Sequence, residues 1–481
     1  MVTFIFLSLL LFSWSAGRIF LSDDYCTLHN IVANNSILMP SFFRPVGDLT
    51  LKWTYQLAGW EPFYFYLVNI LLHAVNSFLV YVLCIKLCGQ ENRAGLTSII
   101  AGLIFLTYPS HSEAIFWAIG RGISLAVFFC LLTLIFFISR ITVGGKYILV
   151  SLFYSLALAS YESSLLLPFV LFTLAGGNSR KHNIIWSLVL MATLFFHLYL
   201  RYHFTGGIWQ AYNQVIFAND IIQYLSSFIK IILRLFIPPV NHPLLFSICG
   251  TGAFVVMGFI LYRNRKEIES DNALPRIILF TIMGLAASIL VSISFGMSTR
   301  TSEGDRLMYL PSVFYSIMIA ILMVRLVRLA RTIIILCALL LMFQVGFLLM
   351  IQNNWIQASE HARKVIGSIG AHKERPLYII NVPSDENGAF VFRNCLPQAL
   401  LHYNIDTTGV KILNVIQSAE IEKKKDLIVP EKQGKNVFIW PITLIEMNGD
   451  KVNSVNGYTI KMNTPLKSFL YWNKEDLVEV Q

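Results

Sequence analysis

The sequence predicts an α-helical polytopic membrane protein with a small α+β domain at its C-terminal end. Of 481 residues, 56% are apolar and only 13% charged, and the mean hydropathy is +0.63. Eleven apolar stretches, most of them near the roughly 17–25 residues that cross a bilayer, precede residue 353. A soluble chain of this size has nowhere to bury so much apolar surface. The net charge of +10 fits cytoplasmic loops and anionic lipid, so the bilayer is the expected partner and nucleic acid is not. The seven cysteines are scattered, with neither metal-ligand spacing nor a disulfide framework.

The first stretch, 2–20, reads as a retained helix. No Lys or Arg opens it, and no small-x-small cleavage site precedes Asp23 and Asp24. Further spans are expected at about 63–85, 94–109, 114–139, 147–160, 163–177, 183–201, 245–262, 275–295, 307–324 and 332–351. The stretch 221–240 is apolar but carries Lys230 and Arg234 at i, i+4, a pattern suited to a helix lying in the interface. With Met1 inside, Lys86 and Arg93, Arg140 and Lys146, Arg180 and Lys181, "YRNRKE" with Arg276, and "RLVRLAR" all fall in cytoplasmic turns. Eleven spans result. The outer face then holds 21–62, 108–113, 160–164, 202–244, 296–306 and everything after 352.

Residues 1–352 thus form the membrane domain and 353–481 a soluble extracytoplasmic one. In the latter, strand-like runs occur at 376–382, 410–416, 436–442 and 458–462, with a short helix around 392–404. No internal repeat or low-complexity tract is present.

The unusual polar groups gather on the outer face: Asp23 and Asp24, "FFRPVGDLTLKW", "YPSHSEA", "SYESS", Arg201, and "TSEGDRLMYLPS". Singly, each has a bland reading: a helix cap, a macrodipole partner for Glu162, or a snorkelling Arg201. Together, on one side, they point to a site, because ionisable groups near a membrane are costly.

Four segments carry a resemblance. "FRPVGDLTLKWTYQLAGWEPFYFYLVNILLHAVNSFLVYVL", "YPSHSEAIFWAIGRGISLAVFF", "LALASYESSLLLP" and "EGDRLMYLPSVFYSIMIA" resemble, in order and spacing, the membrane part of the O-mannosyltransferases that carry tetratricopeptide repeats. These are members of the GT-C class of glycosyltransferases. No repeats follow here. Tyr108 stands in place of a His, Tyr161 in place of a Lys, and Gly122-Ile123 where an acid is common.

The resemblance implies a GT-C-like fold and a polyprenyl- or dolichyl-phosphate sugar as donor, with a hydroxyl acceptor on protein, glycan or lipid. A lipid-anchored donor keeps its sugar phosphate at the outer interface. The proton acceptor is then expected at Asp23, with Asp24 the second choice. Arg44, Arg121, Arg201 and Arg306 are candidates to clamp the phosphate. His111, Glu113, Glu162 and Tyr309 are expected to orient substrate. Direct attack at the anomeric carbon would invert it. Nothing in the sequence demands a cofactor or metal, although a divalent cation on Asp23 and Glu113 stays open. The rival readings are a polysaccharide ligase or polymerase, and a transporter or flippase of lipid-linked sugars. The first would favour Arg and His in a late outer loop, and the second mid-membrane polar groups and inverted repeats.

Overall fold

The computed structural model describes the chain apart from residues 37–41, 90–92, 175–179, 208–209, 212–213, 216–220, 271–273, 294–296, 328, 418–428, 434–435, 441–452, 456–457, 461–467, 474 and 480–481. It divides into two compact units. The first comprises Met1–Ala16 and Asn35–Gln352, the second Gly17–Asn34 and Asn353–Gln481.

The first unit is helical: α1 (Val2–Phe12), α3 (Pro45–Ala58), α4 (Pro62–Cys88), α5 (Ala94–Thr107), α6 (Ser112–Phe116), α7 (Arg121–Ile138), α8 (Val143–Leu158), α9 (Leu167–Leu174), α10 (Arg180–Thr205), α11 (Ile221–Phe236), α12 (Pro243–Arg263), α13 (Arg265–Ser270), α14 (Leu274–Ser292), α15 (Pro311–Leu326) and the start of α16 (Ala330–Ala371). The helix α2 (Asp23–Ala33) and the short α17 (Leu396–His402) belong to the second unit. Among the described residues, six helices are long and apolar enough to cross a membrane, seven if one bent pair counts as a single span. Four further apolar helices are shorter. The protein is therefore a multi-pass membrane protein. The eleven expected stretches all reappear as apolar helices, but several are shorter than a bilayer crossing.

The bent pair explains one boundary. The stretch 94–116 turns by 65° between Thr107 and Pro109, because Pro109 cannot continue the amide ladder of α5. The fold then reverses tightly onto α7 through Gly120, where a Cβ would meet the Glu113 carbonyl oxygen at 2.0 Å. The core is built where α4 packs on α5 and α7, α7 on α8, and α15 on α5. Phe105, Ile123, Tyr154, Tyr309 and Phe314 are buried in it.

The N-terminal expectation needs correcting. The first helix and its 3₁₀ extension end at Ser15, well short of residue 20. Asp23 and Asp24 do not close that helix. They open α2, where first-turn acids meet the positive end of the helix dipole. The cysteine reading is also incomplete, because Cys26 of α2 is bonded to Cys395 across 369 residues of sequence. No spacing rule finds such a long-range pair.

In the second unit, Leu377–Ile380 runs parallel to both Val410–Ile412 and Phe469–Trp472, and Leu477–Glu479 closes the edge antiparallel. The helix expected around 392–404 is α17, which packs on α2. The runs expected at 436–442 and 458–462 contain the strands Asn436–Trp440 and Tyr458–Ile460.

Candidate active site

Glu162 is the centre of the first cluster in the helical unit. It sits in a 3₁₀ turn between α8 and α9. Arg44, held just ahead of α3 by Pro45, donates Nε and Nη2 to it at 3.1 and 2.9 Å. Arg201, in the last turns of α10, donates Nη1 at 2.9 Å. Burial by itself would push the Glu162 carboxyl up, but the two guanidinium groups hold it down at about 2. Arg44 is likewise kept above the ordinary guanidinium range by Glu162, despite burial.

Glu113 is the centre of the second cluster. It lies fully buried on α6. The Gly304 amide and Arg306 Nη1 each donate to it at 2.6 Å. Gly304 has φ +86°, a conformation that costs glycine little and other residues much. Arg306 follows at once in the 3₁₀ turn Asp305–Met308.

Tyr161 joins the two clusters. The Arg44 guanidinium lies over its ring at 4.1 Å, and Arg306 is close enough to interact with the same side chain. Arg44 and Arg306 are near enough to repel each other. Tyr161 is the position where the resemblance has Lys, so an aromatic face and a hydroxyl replace a further cation between two arginines. The exposures are informative. Arg44 and Arg306 keep 24% and 26% of their side chains accessible, while Glu162 and Glu113 retain 11% and 0%. The acids stand behind. Arg44 spends its Nε–Nη2 edge on Glu162 and Arg306 its Nη1 on Glu113, which leaves Arg44 Nη1 and Arg306 Nη2 as charged donors for an anion.

A third pair was not anticipated. Arg234 of α11 is wholly buried against Asp305, whose other oxygen accepts from Ser112 at 3.0 Å. The Tyr108 hydroxyl ties the same region down by donating to the carbonyls of Arg234 and Leu235 at 3.2 and 3.1 Å. Of the two basic residues that suggested an interfacial helix at 221–240, Lys230 is exposed, whereas Arg234 faces the protein. The i, i+4 basic spacing could not separate the two.

Other candidates have protein partners. Arg121 donates to Asn69 Oδ1, the Thr50 carbonyl, Thr54 Oγ1 and the Phe65 carbonyl, at 2.9, 3.0, 2.7 and 3.0 Å. That engagement fits an anchor for α3 and α4 better than a phosphate clamp. His111 is buried, 2.6 Å from Ser312 Oγ, with its ring 4.4 Å from that of Tyr309. Tyr309 meets His73 Nδ1 at 2.8 Å and accepts from Asn76 at 3.2 Å. Asn69, His73 and Asn76 were not singled out from the sequence. Their spacing along one face of an apolar helix was the available signal.

Asp23 and Asp24 belong to the second unit. Asp24 is fully buried and accepts from the Leu21 amide at 3.1 Å. Asp23 is half-buried, and Asn394 Nδ2 donates to it at 3.1 Å. The preceding Ser22 has φ +46°, an uncommon value for a residue with a side chain. Its amide donates to the Val391 carbonyl at 3.0 Å. Among the described residues, no group of three or more His, Cys, Asp or Glu is placed to hold a metal ion.

No family profile matches the sequence. Single relatives do. Over 103 residues, 21% of this chain, it is 33% identical to protein O-mannosyl-transferase tmtc2 of Xenopus laevis, of which that stretch is 12%. Over 97 residues, 20% of this chain, it is 40% identical to protein O-mannosyl-transferase TMTC1 of Homo sapiens, of which that stretch is 10%. The matches thus span about a tenth of each relative. ArnT from Cupriavidus metallidurans bound to undecaprenyl phosphate overlays on 88% of this chain and 90% of its own, with a TM-score of 0.48 and 13% identity. Its apo form overlays with a TM-score of 0.34, at 14% identity, on 82% and 84% of the two chains. Over about a fifth of its length, the chain resembles the protein O-mannosyl-transferases in sequence.

Proposed function

We propose that the protein is an integral membrane glycosyltransferase. It would move a sugar from a polyprenyl- or dolichyl-phosphate donor to a hydroxyl acceptor at the luminal or periplasmic face, with inversion. The observation that carries this reading is the convergence of half-exposed Arg44 and Arg306 at Tyr161, with their balancing carboxylates buried behind them. The sequence likeness to protein O-mannosyl-transferases supports the same chemistry. Arg44, Arg201 and Arg306 would hold the donor phosphate. The acceptor oxygen attacks the anomeric carbon, the bond to the phosphate oxygen breaks, and the lipid phosphate leaves with the electron pair. Negative charge growing on that phosphate is what fixed guanidinium groups stabilise best. The acceptor proton goes to a carboxylate. Asp23 is the proposed base because it is half-buried while Asp24 is enclosed. Two features support the outward orientation of Gly17–Asn34 and Asn353–Gln481: the positive-inside pattern, and the Cys26–Cys395 bond, which suits an oxidising compartment. The eleven-span topology remains part of this proposal.

The test is transfer by the purified protein in nanodiscs, from synthetic prenyl-phosphate sugars to a hydroxyl acceptor. Asp23→Asn should lower turnover by about 10²–10⁴, the usual loss for a general base. Near-normal transfer by Asp23→Asn and by Asp24→Asn would remove the base assignment. No transfer from any prenyl-phosphate sugar, with such lipids still bound, would favour a flippase.

A further inference from the structure

Three of the helices around the Glu162 cluster, α8, α9 and α10, also border a cavity at their other ends. Its volume is about 530 Å³, and Lys86, Lys146, His182 and Arg276 reach it from four different helices. Phe137, Trp186 and Ile277 form part of an apolar wall. Along α10, His182 lies roughly 28 Å from Arg201 at 1.5 Å rise per residue, about one hydrocarbon thickness away. The cavity therefore belongs to the opposite membrane interface.

Ordinary explanations cover only part of this arrangement. Basic residues on one face follow from the positive-inside rule, but that rule asks for cations in loops, not for several converging on one concavity. Helix capping accounts for Lys86, in the last turn of α4, and for Arg276, which donates to the Thr173 and Leu174 carbonyls at the end of α9. It does not account for Lys146 or His182, which sit at helix N-termini where a cation opposes the dipole. The described lining carries no carboxylate, and neither Lys86 nor Lys146 has an ion-pair partner among the described residues. The Trp186 ring is firmly placed against Tyr147 and Phe137, with centroids 4.3 and 5.1 Å apart.

We propose that this cavity binds the phosphate-bearing head group of an anionic membrane lipid. Lys86 and Lys146 hold the phosphate, and the wall of Phe137, Trp186 and Ile277 takes the glycerol and the first methylenes of the chains. The apolar wall and the position at a membrane interface favour a lipid over a soluble anion. This site is separate from the proposed transfer chemistry and does not depend on it.

The experiment uses the full chain in phosphatidylcholine nanodiscs doped with brominated phosphatidylglycerol, which quenches nearby tryptophan. Trp186→Phe identifies the fraction of quenching that reports on this cavity. Lys86→Gln/Lys146→Gln should weaken that quenching isotherm by about 100-fold or more, at about tenfold or more for each charge-assisted hydrogen bond to the phosphate. Arg140→Gln/Lys181→Gln removes the same charge from exposed positions at the same end of the bundle, and should shift it by no more than about 25-fold, the fivefold per cation of diffuse attraction. If the double Gln variant does not fold, Lys146→Gln alone is read, with about a tenfold or greater loss expected against about fivefold for Lys181→Gln alone. Equal losses in the two pairs would reduce the effect to diffuse attraction and overturn the site. No loss in the lining pair would overturn it directly. Displacement of the lipid by millimolar inorganic phosphate, with the same dependence on Lys86 and Lys146, would reassign the cavity to a soluble anion and overturn the lipid proposal.

Discussion

Along α10, His182 opens the helix and Arg201 closes it, and the two ends treat their cations differently. At the Arg201 end, cations are matched to carboxylates: Arg201 and Arg44 to Glu162, Arg306 to Glu113, and Arg234 to Asp305. At the His182 end, Lys86 and Lys146 border a cavity with no carboxylate in its described lining. Burial accounts for the difference. A charge withdrawn from water must be paired, or the cost of desolvation is not recovered. Cations at a cavity mouth keep water around them and can stay single until an anion arrives. The paired end is therefore rigid by construction, and the unpaired end is open to occupancy.

The sharpest way to break this contrast is to unpair a buried ion. Arg234→Leu leaves Asp305 enclosed without its cation and should cost about 3–5 kcal/mol of stability. The double variant Arg234→Leu/Asp305→Leu should recover most of that loss, because no buried charge then remains. Thermal unfolding in detergent measures both. A double variant as damaged as the single one would show that the pair is not a self-contained unit.

A smaller effect comes from the pH dependence of the Glu162 cluster. The Glu162 carboxyl sits at about 2 rather than the ordinary 4.5. A depressed carboxylate contributes stability that is fully present above its unfolded value and is lost as pH falls toward the folded one. The melting difference between the wild type and Glu162→Gln should therefore be constant from pH 7 to pH 5, and should shrink between about 4.5 and 2. A difference that already fades at pH 6 would mean that the two arginines do not hold this carboxylate. The smallest expected change is at the other end. Lys86→Gln should alter stability by no more than about 0.5 kcal/mol, as for an exposed substitution, even where it affects lipid binding.

Much of this was legible in the sequence. Length, apolar content and the placement of Lys and Arg pointed to the membrane class, and the strand runs near 376–382 and 410–416 pointed to the sheet of the second unit. The convergence of "FFRPVGD", "SYESS" and "EGDRLMY" was readable as polar groups on one face. Which side chains meet was not. Nothing local distinguishes Arg44 and Arg306, which stay half-exposed, from Arg121, whose guanidinium is taken up by Asn69, Thr50, Thr54 and Phe65. The same holds for Lys230 and Arg234, one turn apart on α11 yet facing opposite surroundings. The Cys26–Cys395 bond and the packing of α2 with α17 depend on contacts more than 360 residues apart, beyond the reach of periodicity. Tyr161 looked like a departure from a resemblance. Its role as the surface shared by two arginines became visible only in three dimensions.

The central claim is that the guanidinium groups at the Glu162–Glu113 end hold the phosphate of a prenyl-linked sugar. It is tested most directly by transfer rate against donor concentration for the wild type, Arg306→Lys and Lys86→Gln in nanodiscs of one lipid composition. Lysine keeps the charge of Arg306 but cannot reproduce its planar fork. Arg306→Lys should therefore lower kcat/KM for the donor by about tenfold or more, as expected for losing one charge-assisted hydrogen bond, while Lys86→Gln leaves it within about twofold in the same assay. Wild-type donor kinetics in Arg306→Lys, with folding intact, would contradict the account and locate the phosphate elsewhere.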